Sequence, residues 1–248
     1  MNLPFSMSVE AAGFLAIACL IAAFVRGYSG FGFSALVVSA SALVMNPLHI
    51  VGVVMVCEFL MTFQQWRGVK ADVDWKRVLA LMVGALVGLP LGLWGITRVG
   101  VDTARAIIAV YVLVMCAVML MGWRITRPQG FPPTLGVGVF AGMANAVGMA
   151  GLPVASYFTA QGMAAGVFRG TLIAYFAALD LFSLPVMWAS GIIVWDTFVV
   201  AAAALPIMAL GIWAGGRHFL ATDPQDFRKF AIGLLAVLAA LNLVKAVL

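Results

Sequence analysis

Long runs without any charged side chain are the feature that most limits what this chain can fold into. Three of them, at 78–97, 106–123 and 197–216, are about as long as the ~20 residues that a bilayer-spanning helix needs. Hydrophobic residues make up 65% of the 248 positions and charged residues only 9%, so a water-soluble fold could not bury the apolar surface. The sequence therefore predicts an all-α polytopic membrane protein.

Apolar segments follow one another along the whole chain, and they differ in length. They lie near 9–25, 31–45, 48–63, 78–97, 105–122, 134–147, 151–165, 167–190, 197–216 and 228–247. The segments at 134–147 and 151–165 are short for a full span. The first ten residues contain no Lys or Arg, so the first segment lacks the basic flank of a cleaved signal peptide and is expected to belong to the fold.

Glycine interrupts the uncharged sequence in two places, GYSGFGFSA and AGMANAVGMAGLPVAS. The residues concerned are Gly27, Gly30 and Gly32 in the first place, and Gly142, Gly148 and Gly151 with Pro153 in the second. Glycine allows backbone conformations that other residues avoid, and proline removes a helical hydrogen bond. We therefore expect an interrupted helix at each place.

The two glycine-rich places are copies of one feature. An offset of 118 aligns Gly30 with Gly148, and a slightly larger offset aligns LGLWGITR at 91–98 with LGIWAGGR at 210–217. Such self-similarity is typical of an internal duplication. The predicted repeats are 1–127 and 128–248.

The positions of basic residues indicate that the repeats are inverted. Cytoplasmic loops collect Lys and Arg, and 64–77 carries four basic residues whereas its counterpart at 190–196 carries none. Placing 64–77, the linker with Arg124 and Arg127, and 217–229 inside gives nine basic residues inside and three outside. We expect a re-entrant hairpin or broken helix pair beside three full spans in each repeat; five full crossings would satisfy the same parity.

Inverted repeats with discontinuous helices that meet near the midplane are typical of secondary transporters. The amino termini of such half-helices present N–H groups and positive dipole ends to anionic substrates. Alternatively, the glycines only pack helices closely, as the series Gly84, Gly88 and Gly92 is expected to do. The candidate substrate-binding residues are Arg26, Gly27, Tyr28, Ser29, Gly30, Gly32, Ser34, Asn145, Gly148, Gly151 and Arg169.

Four ionisable residues lie within apolar segments, namely Arg26, Glu58, Arg169 and Asp180, although such a residue costs ~2.5–3.5 kcal/mol at the bilayer centre. Arg26 is expected either to bind an oxyanion with its fork of donors or to pair with Asp180 or Glu58. A simpler partner for Glu58 is Arg67, because Glu58 lies about two helical turns before the basic loop at 64–77. Asp180 and Glu58 are also candidates for ion coupling, Asp180 as a proton carrier, although an ion pair explains Asp180 equally well.

The remaining reactive residue types point to no cofactor. His49 follows a helix start and His218 lies in a basic loop, so both are expected to be solvated or capping residues rather than metal ligands. Cys19, Cys57 and Cys116 lie in apolar runs and are expected to be packing residues. The net charge of +5 comes from short loops, which favours membrane orientation over nucleic-acid binding. The expected partners are the bilayer and a small anion; a homodimer is left open.

The sequences GYSGFGFSA, NAVGMAGLPVAS and GVFRGTL, in a duplicated chain of 248 residues, resemble the sulfite exporter TauE/SafE family of membrane transporters. The likeness covers nearly the whole chain. It implies a multi-pass protein of the bacterial inner membrane that moves sulfite, organosulfonates or related small anions.

Two other classes compete with a transporter. GYSG at 27–30 matches the Gly-x-Ser-Gly pattern of rhomboid-type intramembrane proteases, in which a histidine from another span activates the serine. Neither His49 nor His218 is well placed for that role, so we expect no enzyme. A non-transporting assembly partner is the third class, but broken helices around buried charges are costly to keep without a ligand.

Overall fold

The computed structural model describes residues 4–66, 68, 70–125 and 129–219, and every regular element in them is helical. Short 3-10 turns lie at Pro4–Ser6 and Lys70–Asp72. The α-helices are α1 (Val9–Ser29), α2 (Phe33–Val44), α3 (Pro47–Trp66), α4 (Trp75–Ile96), α5 (Val101–Leu120), α6 (Phe131–Asn145), α7 (Gly151–Ala160), α8 (Ala165–Ala189) and α9 (Trp195–Phe219). The predicted all-α class is confirmed; the predicted segment at 228–247 lies outside the described residues.

Six of these helices are long and apolar enough to cross a membrane, namely α1, α3, α4, α5, α8 and α9. The other three have only 12, 15 and 10 residues. Large apolar side chains such as Trp94 and Leu181 are exposed on the long helices, as expected for surfaces that face lipid. The three cysteines are buried, as predicted for packing residues. The chain is therefore a multi-pass membrane protein.

Both predicted helix breaks occur. Gly30 and Gly32 separate α1 from α2 with φ values of +82° and +92°, and Gly148 lies between α6 and α7 with φ +72°. The left-handed conformation destabilises a residue with a Cβ by about 1–2 kcal/mol, whereas glycine adopts it without this cost. These glycines therefore turn the chain sharply within apolar sequence.

Two parallel helix pairs are packed so closely that glycine is required at their contacts. A Cβ at Gly88 of α4 would overlap the backbone of Val139 on α6, and a Cβ at Gly215 of α9 would overlap the backbone of Phe24 on α1. The same is true of Gly84, Gly92, Gly138 and Gly142 in the first pair and of Gly27 and Gly211 in the second. Small residues allow such close approach between membrane helices. The packing role predicted for the Gly84 series is confirmed.

The remaining helices pack around a central contact between α3 and α8. Helix α3 also packs on α9, and α8 also packs on α4. The Nη2 of Arg105 donates to the Met45 oxygen at 3.2 Å, which places the end of α2 beside the start of α5. The Nη1 of Arg77 donates to the Gln161 side chain at 2.7 Å, which places the end of α7 beside the start of α4.

The starts of α1, α3 and α9 lie at one side of the molecule. The Phe5 N–H donates to an Asp196 carboxylate oxygen at 2.7 Å, just inside α9. The Phe5 ring also stacks on His49, with 5.2 Å between ring centroids, at the start of α3. His49 is exposed, as predicted, and stacks on an aromatic ring; the side chain of His218 lies outside the described residues.

Candidate functional site

The two helix breaks meet inside the helix assembly. A Cβ built on Gly151, the first residue of α7, would lie 3.8 Å from the Cβ of Phe31 in the first break. The same Cβ would lie 3.0 Å from the Cζ of Phe176 on α8. A Cβ at Gly148 would contact side chains of α2 and α3. The structure therefore brings together the starts of α2 and α7 beside the centre of α8.

Arg26 forms a buried ion pair next to the first break. Its Nη1 donates to a carboxylate oxygen of Glu58 at 2.6 Å, and the side chain of Arg26 is 0% exposed. Of the two ion-pair partners predicted for Arg26, Glu58 is confirmed as the direct one. The other partner predicted for Glu58, Arg67, lies outside the described residues.

The Glu58 carboxylate also accepts hydrogen bonds at the start of α2, where helical N–H groups have no partner within the helix. Both the hydroxyl and the backbone N–H of Ser34 interact with this carboxylate. The N-cap residue, Gly32, contributes no side-chain hydrogen bond. A carboxylate at this position satisfies free N–H groups and complements the helix dipole. Ser34, a predicted ligand-binding residue, therefore faces the protein's own anion.

Arg26 keeps two donors that the described chain does not use. Its Nε and Nη2 are buried and have no hydrogen-bond partner among the described residues. Its guanidinium lies over the ring of Phe176, with 5.1 Å from Cζ to the ring centroid, which adds a cation–π contact. Nε and Nη2 together form one planar fork that matches two oxygens of an oxyanion. Glu58 and Phe176 thus hold the guanidinium and leave that fork for another partner.

The second break is electrically neutral and has an uncompensated donor. Asn145, at the end of α6, is 2% exposed, and its Nδ2 has no hydrogen-bond partner in the described part of the chain. The N-cap of α7, Ala150, contributes no side-chain hydrogen bond. The Tyr111 hydroxyl donates to the Met149 oxygen at 3.0 Å and so supports the connecting turn. The start of α7 and the amide of Asn145 can therefore donate to an anion.

Ser29 is engaged within its own break. Its hydroxyl oxygen lies 2.8 Å from the Val25 oxygen and 2.9 Å from the Phe31 oxygen. These main-chain contacts stabilise the turn after α1. They give Ser29 a structural role instead of the role of a nucleophile poised for attack.

Arg169, at the start of α8, covers the first break. Its Nη2 donates to the Gly27 oxygen at 3.0 Å, and its Cγ would lie 3.0 Å from a Cβ at Gly30. Gly27 lies one turn before the break and packs against Ile212 of α9. Tyr28 is buried beside it. These predicted site residues therefore surround the first break, and Arg169 connects it to α8.

Asp180 completes a buried charge cluster with Arg26 and Glu58. Asp180 is 1% exposed, and neither of its carboxylate oxygens has a hydrogen-bond partner among the described residues. Its charge interacts with those of Arg26 and Glu58. The direct Arg26–Asp180 ion pair, one of the sequence-based alternatives, is not formed; Arg26 pairs with Glu58 instead. We call Arg26, Glu58 and Asp180 the charge cluster.

Phe176 and Tyr111 lie at the site although the sequence motifs do not predict them there. Phe176 contacts Arg26 on one side and the start of α7 on the other. A signal for it existed, since the repeat offset of 118 places Phe176 opposite Glu58. No comparable signal marks Tyr111, because an aromatic residue in an apolar helix is ordinarily a packing or interfacial residue.

Comparison with known proteins gives one match. The sequence model of the family described as sulfite exporter TauE/SafE matches residues 15–242, which include both helix breaks and the charge cluster. The chain matches no curated protein and no solved structure.

Proposed function

Because the chain belongs to the sulfite exporter TauE/SafE family, we propose that it is a secondary transporter of small anions such as sulfite or organosulfonates, in the bacterial inner membrane. One observation carries the anion assignment. Two helix breaks meet beside a buried arginine whose Nε–Nη2 fork has no partner among the described residues. A buried cationic fork of this kind is suited to an anion with at least two oxygens.

We further propose that residues 1–127 and 128–248 are inverted repeats. Under the sequence correspondence, α1 matches α6, α3 matches α8 and α4 matches α9. The contacts follow the same rule: α1 packs on α9 as α6 packs on α4, and α3 packs on α9 as α8 packs on α4. Helix α2 ends beside the starts of α3 and α5, and α7 ends beside the starts of α4 and α8. These contacts support a re-entrant hairpin in each repeat.

In this proposal, the anion lies between the charge cluster and the start of α7. Arg26 supplies the positive charge and two N–H groups, held in place by Glu58 and Phe176. Asn145 supplies its amide, and α7 supplies the positive end of its dipole. Sulfite, sulfonates and carboxylates all present oxygens that suit these donors.

Transport into liposomes tests the proposed function. Purified protein is reconstituted, and uptake of sulfite, methanesulfonate, acetate, chloride and rubidium is measured against protein-free liposomes. We expect one or more of the oxyanions to enter and rubidium to be excluded. Uptake of the cation alone, or of none of the anions, would contradict the proposal.

The repeat arrangement has its own test. Single cysteines are introduced at 70, 100, 193 and 222 in a background that lacks Cys19, Cys57 and Cys116, and an impermeant thiol reagent is applied from each side. Positions 70 and 222 are expected to react from the cytoplasmic side, and positions 100 and 193 from the other side. Reaction of positions 70 and 222 from opposite sides would exclude the inverted arrangement.

A further inference from the structure

We propose that Asp180 binds the coupling proton, and that protonation of Asp180 and binding of an anion to Arg26 favour each other. This inference rests on the proposed transport of anions. It predicts that one proton and one monovalent anion move in the same direction.

Geometry distinguishes Asp180 from the other carboxylate of the charge cluster. Glu58 has a cationic partner at 2.6 Å and also faces the start of α2, and both contacts favour its ionised form. Asp180 is equally buried but receives no hydrogen bond from the described residues. An isolated carboxylate is costly to bury in its ionised form and cheaper to bury with a proton. In this arrangement Asp180 therefore carries a proton.

The charges of the cluster explain why the proton and the anion are coupled. Arg26 and Glu58 cancel, so the cluster is neutral when Asp180 is protonated and has a charge of −1 when Asp180 is ionised. A monovalent anion on Arg26 would meet an ionised Asp180 as a like charge within the same desolvated site. An ionised Asp180 would also compete for the free fork of Arg26. The anion accordingly binds when Asp180 is protonated and leaves when the proton leaves.

Each proton transfer exchanges one O–H bond for another. On one side a hydronium ion loses an O–H bond as a carboxylate oxygen of Asp180 gains one, and on the other side the Asp180 O–H bond breaks as a water molecule accepts the proton and becomes hydronium. The anion keeps its charge and composition throughout.

Other titratable groups lie on α8 and on the elements packed against it. Tyr175 lies on the same helix and interacts with the Asp180 charge. Helix α3 contributes Glu58, and α1 contributes Arg26. The other helices and turns packed against α8 carry Lys70, Asp72, Lys76 and Arg77 near the start of α4, and Tyr157 on α7, which shares a hydrogen bond with Thr134.

Proton movement driven by an anion gradient tests the inference. Methanesulfonate is the probe because, unlike sulfite, it keeps a single charge between about pH 5 and 8. Liposomes contain a pH-sensitive dye, and potassium with valinomycin holds the membrane potential at zero. An inward methanesulfonate gradient is expected to acidify the lumen with the wild-type protein. With Asp180→Asn, methanesulfonate should enter without acidification, and its affinity should no longer depend on pH.

The matched control for Asp180→Asn is a substitution of an exposed aspartate. Asp102→Asn removes an exposed carboxylate, 76% accessible at its side chain, and should keep the coupling. In the wild type, methanesulfonate affinity should fall at least about tenfold between about pH 5 and 8. Anion entry without acidification in the wild type, or unchanged acidification in Asp180→Asn, would overturn the inference and leave the proposed function intact. Failure of the wild type to carry either methanesulfonate or sulfite would instead contradict the proposed function.

The thermal stability of Asp180→Asn distinguishes a protonated Asp180 from an ionised Asp180 that stabilises the fold. A protonated Asp180 resembles asparagine in shape and charge, so Asp180→Asn should unfold within about 2 °C of the wild type. A large loss of thermal stability would mean that Asp180 is ionised and structural, and it would overturn the inference.

Discussion

The first and second helix breaks have the same glycine backbone conformation, but the residues around them differ in charge and polarity. Each turns at a glycine with positive φ, Gly30 in the first and Gly148 in the second. At the first break the start of α2 faces the carboxylate of Glu58, which is paired with Arg26. At the second break the start of α7 has no side-chain cap and contacts the aromatic ring of Phe176.

Under the proposed duplication, this difference shows how one feature can acquire two roles. Glu58 and Phe176 occupy equivalent positions at the repeat offset of 118, and each lies at the start of a short helix. We infer that the carboxylate provides a fixed anion at α2, whereas the uncharged ring leaves α7 able to accept an exchangeable one. The ring also supports Arg26, so the first break supplies the cation and the second supplies the open helix end.

Among substitutions at the two breaks, Arg26→Ala should cause the largest loss of stability. The substitution leaves the Glu58 carboxylate buried without its cation, and we expect a loss of about 3–5 kcal/mol in the free energy of unfolding. Thermal unfolding in detergent measures it. Arg98→Ala, which removes an exposed arginine that lies on Trp94, is the matched control and should change stability little. Equal losses in the two variants would mean that the buried ion pair does not stabilise the first break.

Arg26→Lys should separate the structural role of Arg26 from anion binding. Lysine keeps the charge opposite Glu58 but lacks the planar fork, so the protein should remain folded. Loss of charged hydrogen bonds to the ligand should cost ~2–3 kcal/mol, or roughly 30- to 150-fold in affinity. Equilibrium binding and liposome uptake of methanesulfonate measure the change, with Arg98→Lys as the control. Near-normal transport by a well-expressed Arg26→Lys variant would reject the ligand role.

Substitution of one polar residue at each break should sharpen the comparison. Asn145→Ala removes a donor with no described partner, and anion affinity should fall by about 5- to 30-fold, or ~1–2 kcal/mol. Ser34→Ala removes a hydroxyl that faces Glu58, so affinity should stay within about threefold while stability decreases. If Ser34→Ala weakened binding more than Asn145→Ala, the anion would lie at the first break instead.

Gly148→Ala should have the smallest effect, because it tests only the backbone of the second break. Its Cβ would meet side chains at ordinary contact distances of 3.4–3.8 Å, so the expected loss is the ~1–2 kcal/mol of the left-handed conformation. Gly30→Ala should lose more stability, since its Cβ would also press on Arg169 at 3.0 Å. Gly13→Ala, in open space within α1, is the control and should be neutral or slightly stabilising. Unfolding temperatures that do not follow this order would contradict the comparison.

Much of the fold could be predicted because its signals are local. Uncharged apolar runs predict the long helices, and glycine in uncharged sequence predicts the breaks at Gly30 and Gly148. The roles inside the site were harder to predict, since the sequence predicts both Ser34 and Ser29 as ligand-binding residues. Ser34 instead faces Glu58, and Ser29 bonds to nearby main-chain oxygens, which are contacts that residue type does not reveal.

The sequence by itself determined the membrane class, the two breaks and the presence of Arg26, Glu58 and Asp180 within apolar helices. Hydropathy, glycine conformation and charge belong to individual residues or short segments, so they can be read without knowing the fold. Only the tertiary structure decided that Arg26 pairs with Glu58, that Asp180 has no such partner in the described part of the chain, and that α7 begins without a side-chain cap. Ion pairs and hydrogen bonds require atoms within about 3–4 Å, and helix packing sets those distances between residues far apart in the chain.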